Sequence, residues 1–158
     1  MAEKFIVIGS NSFSGASFID HVLAEAAEVI GISRSEEPNP VFLPYKWKEH
    51  SSFFEFHACD LNHDLMKIID IIREFKPQYI VNFSAQGMVA QSWERPEDWF
   101  TTNTLSMIKL HDQLRKLDFI EKYVQISTPE VYGSCEGSVQ ENTSYTPSTP
   151  YAVSKAAC

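Results

Sequence analysis

Cysteine is scarce in this sequence, and the few that are present form no recognisable pairing pattern. The three cysteines are Cys59, Cys135 and Cys158, and none belongs to a CxxC pair. An odd number of cysteines without such a pattern argues against a disulfide framework and favours the reducing environment of the cytosol. We therefore expect three free thiols in a cytoplasmic protein.

Long apolar runs and a basic excess are also missing. The apolar run near the amino terminus, Phe5–Ile8, is too short for a signal peptide or a membrane span. The 13 lysines and arginines are outnumbered by 21 aspartates and glutamates, which gives a formal charge of -8. Because such a surface repels a phosphate backbone, nucleic acid is not an expected partner, and the lack of an apolar span argues against a membrane. A small anion can still bind at a helix N-terminus.

Metal-ligand spacings are absent too. His57, His63 and His111 have no second histidine or cysteine at a ligand spacing. The stretch DLNHD begins like a calcium loop at Asp60, but Leu65 stands where that loop requires glycine. We therefore expect no bound metal.

What the sequence does contain is an alternation of strand-length apolar runs and helical patterns. Strands separated by helices lie parallel, and right-handed crossovers then give a doubly wound α/β sheet in the order 3-2-1-4-5. Pro38–Ser52 is the one long irregular connection. The strands are predicted at Phe5–Ile8, Glu28–Ser33, Phe53–Cys59, Tyr79–Phe83 and Tyr123–Ser127, and the helices at Gly15–Ala26, Leu61–Phe75, Pro96–Leu117 and from Thr149 or Pro150 onward.

A glycine-bounded turn, GSNSFSG, joins the first strand to the first helix at Gly9–Gly15. Such a turn directs backbone N–H groups and a helix dipole at a pyrophosphate, although it also serves as a plain strand-to-helix connection. The middle glycine of the usual pattern is Ser12, whose hydroxyl offers a further phosphate donor. The position directly after an amino-terminal strand favours a dinucleotide cofactor.

The end of the second strand indicates which cofactor. NAD-binding proteins usually place an acidic residue there for the ribose hydroxyls, whereas this chain has Ser33 and Arg34, with no acid before Glu36. A guanidinium matches a phosphate in a bidentate way. A solvated surface arginine is the alternative, but the missing acid favours NADP over NAD.

A tyrosine and a lysine share one side of the last predicted helix. Tyr151 and Lys155 are spaced i, i+4 in PYAVSK. A phenol is a weak base at neutral pH, and a cation one turn away favours its phenolate form, which makes it usable in acid/base chemistry. The pattern YxxxK alone is common by chance in helices.

Three motifs in this order, GxxxxxG after the first strand, STPEVYG after the fifth and PYAVSK, resemble the extended short-chain dehydrogenase/reductase family of NAD(P)-dependent nucleotide-sugar epimerases and dehydratases. VNFSAQ and GISRS are most similar to its GDP-mannose 4,6-dehydratase branch. The resemblance covers the whole chain. It implies a Rossmann-fold NAD(P)-binding domain at residues 1–158, truncated before a C-terminal substrate domain, and a homodimer at full length.

The resemblance also implies which residues bind the cofactor. They comprise the glycine turn, the ends of the second and third strands, the loop after the fourth strand, an asparagine of the following helix, and the tyrosine and lysine. These are Gly9, Asn11, Ser12, Phe13, Ser14, Gly15, Ser33, Arg34, Asp60, Leu61, Ser84, Ala85, Gln86, Asn103, Tyr151 and Lys155.

Catalysis in the resembled family implies roles for four residues acting on a nucleotide sugar. Tyr151 takes the proton of the hydroxyl on carbon 4, Lys155 supports Tyr151 and holds the nicotinamide ribose, and Thr128 bonds the same hydroxyl. Glu130 then removes the proton of carbon 5 so that water leaves from carbon 6.

One position departs from the family pattern. Pro129 stands between Thr128 and Glu130, where related dehydratases have an acidic or hydroxyl side chain. Proline donates no proton. A nucleotide-sugar decarboxylase or epimerase therefore stands as an alternative to the 4,6-dehydratase. Because members of the resembled family are much longer, a cofactor-binding module without chemistry of its own is a further alternative.

Overall fold

A parallel sheet organises the chain in this computed structural model, which describes residues 2–50, 52–141 and 144–158. Its strands are β1 (Lys4–Ile8), β2 (Glu28–Ser33), β3 (Phe54–Ala58), β4 (Tyr79–Asn82) and β5 (Lys122–Gln125). They are hydrogen-bonded in the order β3-β2-β1-β4-β5, and each neighbouring pair is parallel. The predicted α/β class and strand order are therefore confirmed.

Helices and short turns connect the strands. The helices are α1 (Phe13–Ala24), α2 (Leu65–Phe75), α3 (Pro96–Phe100), α4 (Ser106–Leu114) and α5 (Pro150–Ala156), and 3₁₀ turns occur at Pro40–Phe42, Pro44–Lys46, Ala90–Trp93 and Pro129–Tyr132. Two of these turns lie in the connection predicted to be irregular. Among the described residues, none of the helices has the length and apolar character that crossing a bilayer requires.

Residue contacts divide the chain into two compact units. The first contains the residues up to Ser84 together with Leu110–Ile126, and the second contains Ala85–Lys109 and Ser127–Cys158. The whole sheet lies in the first unit. Branched aliphatic residues fill its central strands, as expected for parallel strands that are covered on both faces. The buried ones are Ile6, Val7, Ile8, Val29, Ile30, Ile32, Ile80 and Val81.

The start of α2 differs from the prediction. The helix begins at Leu65 rather than Leu61, because a turn with its own side-chain caps precedes it. The carboxylate of Asp64 accepts the N–H of Asp60 at 2.8 Å, and the Asp60 carboxylate accepts the N–H of Asn62 at 2.8 Å. Aspartate competes with helix formation in this way by binding nearby backbone N–H groups.

The predicted helix Pro96–Leu117 is interrupted. A π-helical turn at Thr101–Leu105 separates α3 from α4, which ends at Leu114. The hydroxyl of Ser106 donates to the carbonyl of Thr101 at 3.0 Å, which fits the wider spacing of this turn. The apolar pattern continued across the interruption, so periodicity alone predicted one continuous helix.

Candidate functional site

The turn after β1 requires glycine at both ends. Gly9 has a φ of +82°, and a Cβ at this position would lie 2.5 Å from the backbone nitrogen of Ser84. At Gly15 a Cβ would lie 2.4 Å from the Gly9 carbonyl oxygen. Only glycine accommodates both the positive φ and these approaches. The sequence prediction of a tight turn between strand and helix is therefore confirmed by its geometry.

Ser12 caps the helix that follows this turn. Its hydroxyl oxygen accepts the N–H of Gly15 at 3.0 Å, so α1 begins at Phe13 rather than at the predicted Gly15. Among the residues that the structure describes, none accepts the N–H groups of Phe13 or Ser14. Two unused donors at a helix N-terminus, beside a glycine cradle, fit the pyrophosphate of a dinucleotide.

Hydrogen bonds connect the end of β2 to the glycine turn that follows β1. The hydroxyl of Ser33, which is buried, accepts the N–H of Asn11 at 2.9 Å and the hydroxyl of Ser10 at 3.2 Å. The amide of Asn11 donates to the carbonyls of Ser35 at 2.9 Å and Glu36 at 3.0 Å. Sequence reasoning identified Asn11 only as part of the turn and missed this bracing role.

Arg34 lies at the surface directly after Ser33. Its side chain is exposed, and the nearby Ser33 hydroxyl is already occupied by internal hydrogen bonds. A guanidinium in this position remains accessible to a phosphate group from solution.

The ends of β3 and β4 bring further predicted residues to the carboxyl edge of the sheet. The N–H of Cys59 donates to the Ser33 carbonyl at 2.8 Å, which keeps Asp60 and the buried Leu61 next to the end of β2. After β4, the amide oxygen of Asn82 accepts both the N–H of Ser84 at 2.9 Å and its hydroxyl at 2.6 Å. The predicted cofactor residues of the first unit thus follow the carboxyl ends of four neighbouring strands, where ligands bind in this fold class.

In the second unit, the amide of Asn103 forms two hydrogen bonds with the backbone of Gln86, in the loop that follows β4. Its amide oxygen accepts the N–H of Gln86 at 2.7 Å, and its amide nitrogen donates to the Gln86 carbonyl at 3.0 Å. The same nitrogen donates to the hydroxyl of Ser154 at 2.9 Å. The amide of Asn103 therefore joins the loop that follows β4 to helix α5, and its contact with a cofactor stays a prediction.

Helix α5 carries the tyrosine and lysine. It begins at Pro150, one of the two predicted starts, and Thr149 caps it because the Thr149 hydroxyl accepts the N–H of Ala152 at 3.0 Å. Tyr151 is half-buried, whereas Lys155 is only 5% exposed. Burial lowers the pKa of Lys155, an effect that the nearby Cys158 thiol opposes.

Thr128 and Glu130 flank the start of a 3₁₀ turn. The Thr128 hydroxyl oxygen accepts the N–H of Glu130 at 3.4 Å and caps this turn. A cavity of about 420 Å³ elsewhere, in the first unit, contains neither residue, whereas a smaller one of about 290 Å³ borders Thr128. The smaller cavity is lined by Ser127, Thr128, Pro129, Val131, Tyr132 and Tyr145.

Two tyrosines at this cavity were missed by sequence reasoning. The rings of Tyr132 and Tyr145 meet edge to face with centroids 5.3 Å apart. Tyr145 lies in a Ser/Thr/Pro-rich loop, and no sequence pattern predicts such a pairing. Across the described residues there is no cluster of three histidine, cysteine, aspartate or glutamate side chains arranged to hold a metal ion.

Known proteins of similar sequence and structure were found for this chain. The family model for GDP-mannose 4,6 dehydratase matches residues 6–158. A GDP-mannose 4,6-dehydratase from Vibrio cholerae is 30% identical over 98% of this chain, which spans only 43% of that protein. A UDP-glucose 4-epimerase from Thermus thermophilus, solved with NAD, superimposes with a TM-score of 0.82 and 27% identity, over 98% of this chain and 48% of that one.

A dehydratase structure is equally similar. The dTDP-glucose 4,6-dehydratase from Streptomyces venezuelae, solved with NAD and TYD bound, superimposes with a TM-score of 0.81 and 27% identity. The superposition covers 98% of this chain and 48% of the dehydratase. The chain therefore spans a little less than half the length of the relatives that it matches.

Proposed function

The chain belongs to the GDP-mannose 4,6 dehydratase family, and on that basis we propose that the whole protein is an NADP-dependent nucleotide-sugar 4,6-dehydratase. Residues 1–158 are its cofactor-binding Rossmann domain, and the domain that holds the sugar nucleotide lies in further sequence. The chain spans less than half of its relatives, so activity is assigned to the full-length protein rather than to this segment.

The observation that carries the dehydratase proposal is the placement of Thr128 and Glu130 directly after β5. The Thr128 hydroxyl caps a 3₁₀ turn by accepting the backbone N–H of Glu130, and Thr128 borders a cavity. A carboxylate two residues from a hydroxyl that binds the substrate would serve to remove a proton next to a carbonyl.

The cofactor would be held by the glycine turn and by the ends of β2 and β3. The free N–H groups of Phe13 and Ser14 would bind its pyrophosphate, and Arg34 would bind the 2′-phosphate that distinguishes NADP from NAD. When bound, the nicotinamide accepts a hydride from the sugar and later returns it.

Residues of the second unit would transfer the protons of the sugar. Tyr151 takes the proton of the hydroxyl on carbon 4 as that carbon is oxidised to a ketone, and Thr128 holds the same oxygen. The ketone acidifies carbon 5, from which Glu130 takes a proton and passes it to the hydroxyl that leaves carbon 6 as water. Carbon 6 then receives the hydride, and a proton from solvent is added to carbon 5.

A second candidate is an epimerase of the same family. Pro129 supplies no acid for the leaving hydroxyl, and the similarity to UDP-glucose 4-epimerase equals that to a dehydratase. In that case Tyr151 would act alone on carbon 4, and Glu130 would not be needed. A decarboxylase and a non-catalytic cofactor-binding module are further outcomes of the same test.

Mass spectrometry of the full-length protein incubated with NADP and a panel of nucleotide sugars tests this proposal. We expect a product lighter by one water and no product from the Tyr151→Phe variant. Loss of carbon dioxide would indicate a decarboxylase instead. An isomer of unchanged mass would indicate an epimerase, and NADP binding with no turnover would indicate a module.

A further inference from the structure

The peptide groups of Tyr151 are held on both sides by serine hydroxyls. Its N–H donates to the hydroxyl oxygen of Ser92 at 3.2 Å, and its carbonyl accepts from the hydroxyl of Ser154 at 2.8 Å. Both serines have 0% exposed surface. Water therefore cannot replace either hydroxyl without a rearrangement of the surrounding residues.

Each serine is in turn anchored to another part of the same unit. Ser92 lies in the 3₁₀ turn Ala90–Trp93, and its hydroxyl donates to the Val89 carbonyl at 2.6 Å. Ser154 accepts from the amide of Asn103, which is also buried. The backbone of Tyr151 is thus connected to the loop after β4 and to the π-helical turn.

The first turn of α5 needs an acceptor from outside the helix. The first N–H groups of a helix have no partner within it. The first residue of α5, Pro150, contributes no N–H, so the N–H of Tyr151 is the first donor that needs an acceptor. Ser92 provides that acceptor from outside the helix. Fixing both peptides of Tyr151 fixes the direction of its Cα–Cβ bond, from which the phenol extends.

We propose that Ser92 and Ser154 are positioning residues that hold the Tyr151 phenol in place for proton transfer, with Asn103 anchoring Ser154. This inference rests on the proposed function, because it takes Tyr151 to be the group that exchanges a proton with the sugar. A displacement of about 1 Å in such a group lowers the reaction rate by up to about 100-fold. Neither serine touches the substrate in this proposal.

The test compares threonine with valine at each position in the full-length protein. Ser154→Thr keeps the hydroxyl, whereas Ser154→Val has the same shape without it. We expect the single-turnover rate of hydride transfer to be about tenfold lower in Ser154→Val than in Ser154→Thr, with the Kd for NADP equal within about twofold. Ser92→Thr and Ser92→Val form a second, independent pair with the same expectation.

Hydrogen exchange supplies a measurement that needs neither cofactor nor substrate. Amides 151–153 should exchange faster in the Ser154→Val variant than in the Ser154→Thr variant. Ser17→Thr and Ser17→Val are the matched control, because the Ser17 hydroxyl makes the same kind of bond to a helix carbonyl, that of Phe13, at 2.8 Å. The two variants of this control pair should not differ from each other in the exchange rate of amides 151–153 or in the rate of hydride transfer.

Failure of the two proposals is distinguishable. If the wild type oxidises no nucleotide sugar, the proposed function is wrong and the inference falls with it. If the wild type is active but the threonine and valine variants react equally fast at both positions, only the inference is wrong. The same conclusion follows if the valine variants differ from the threonine variants only in their Kd for NADP.

Discussion

The hydroxyl of Ser12 donates to the carbonyl of Gly9 at 2.7 Å. A hydroxyl has one hydrogen, so in this arrangement Ser12 has none left for a ligand, and its oxygen serves as the cap of α1. The serine that replaces the usual middle glycine is therefore engaged within the turn. The N–H groups at the start of α1 are then left to bind a phosphate.

We expect the Ser12→Ala substitution to lower the free energy of unfolding by about 1 kcal/mol, the usual effect of losing a helix cap. The Kd for NADP should change by less than about threefold, because the donors at the helix start are backbone groups. Urea denaturation and fluorescence titration measure the two quantities. Ser14→Ala, at an exposed position of the same turn, should leave stability unchanged. A large loss of affinity in Ser12→Ala with normal stability would show that the hydroxyl itself binds phosphate.

NADP should bind more tightly than NAD, and Arg34→Ala should remove most of that difference. The expected change is the ~1.5–3 kcal/mol that a charge-assisted hydrogen bond contributes. Fluorescence titration of both cofactors against wild type and variant measures it. Arg73→Ala, at an exposed arginine on α2, is the control and should preserve the preference. Equal affinities for the two cofactors in the wild type would contradict the assignment of NADP.

In the full-length enzyme, Glu130→Gln should leave cofactor binding and the first oxidation nearly intact. Dehydration should fall by the ~10²–10⁴ that a positioned acid/base contributes, because the amide keeps the size of the side chain but not its basicity. Product mass and exchange of the carbon 5 hydrogen with deuterated water measure the two steps. Glu136→Gln, in the exposed loop that follows, is the control. Dehydration at the wild-type rate in Glu130→Gln would assign the proton abstraction to another residue.

Lys155→Met should make the protein more stable while stopping hydride transfer. Because burial lowers the pKa of Lys155 below its ordinary value of 10.5, the unfolded chain holds this proton more tightly than the folded protein does. The contribution of Lys155 to stability therefore rises with pH between the lowered value and 10.5. At pH 7 the methionine variant should therefore have a larger free energy of unfolding than the wild type with its buried cation.

Urea denaturation of wild type and Lys155→Met at pH 7 and near pH 10 tests the direction of this stability difference. The advantage of the variant should shrink as the pH rises, because the wild-type lysine then loses its proton in the folded state. Lys109→Met, at an exposed lysine, should change stability little at either pH. A variant that is less stable than the wild type at pH 7 would mean that the contacts of Lys155 outweigh the cost of burying it.

The sequence was most informative about the sheet. Each strand was predicted to within two residues. Runs of branched aliphatic residues indicated the central strands β1, β2 and β4, because a strand covered on both faces tolerates few other side chains, whereas aromatic residues indicated β3. The glycine turn was also predictable, since only glycine fits at Gly9 and Gly15. The first residues of the helices were less predictable from the sequence. The false start at Leu61 arose because carboxylates bound backbone N–H groups that a periodic pattern assigned to a helix.

The polar contacts of the candidate site could not be predicted. Asn103 was identified as a residue near the cofactor, yet its bonds to Gln86 and Ser154 depend on a π-helical turn that periodicity does not reveal. Ser92 carried no signal at all, because its partner, the N–H of Tyr151, is a backbone group distant in sequence. Such contacts depend on tertiary structure rather than on local pattern.

The π-helical turn at Thr101–Leu105 also bears on which changes the chain tolerates during evolution. Because a π-helical turn contains one residue more than an α-helical turn, deleting one residue there would leave a continuous α-helix and would not rotate α4. What the deletion would disturb is the buried Asn103, whose amide bonds Gln86 and Ser154 from within this turn. Homologues that lack the extra residue should therefore also lack this asparagine contact.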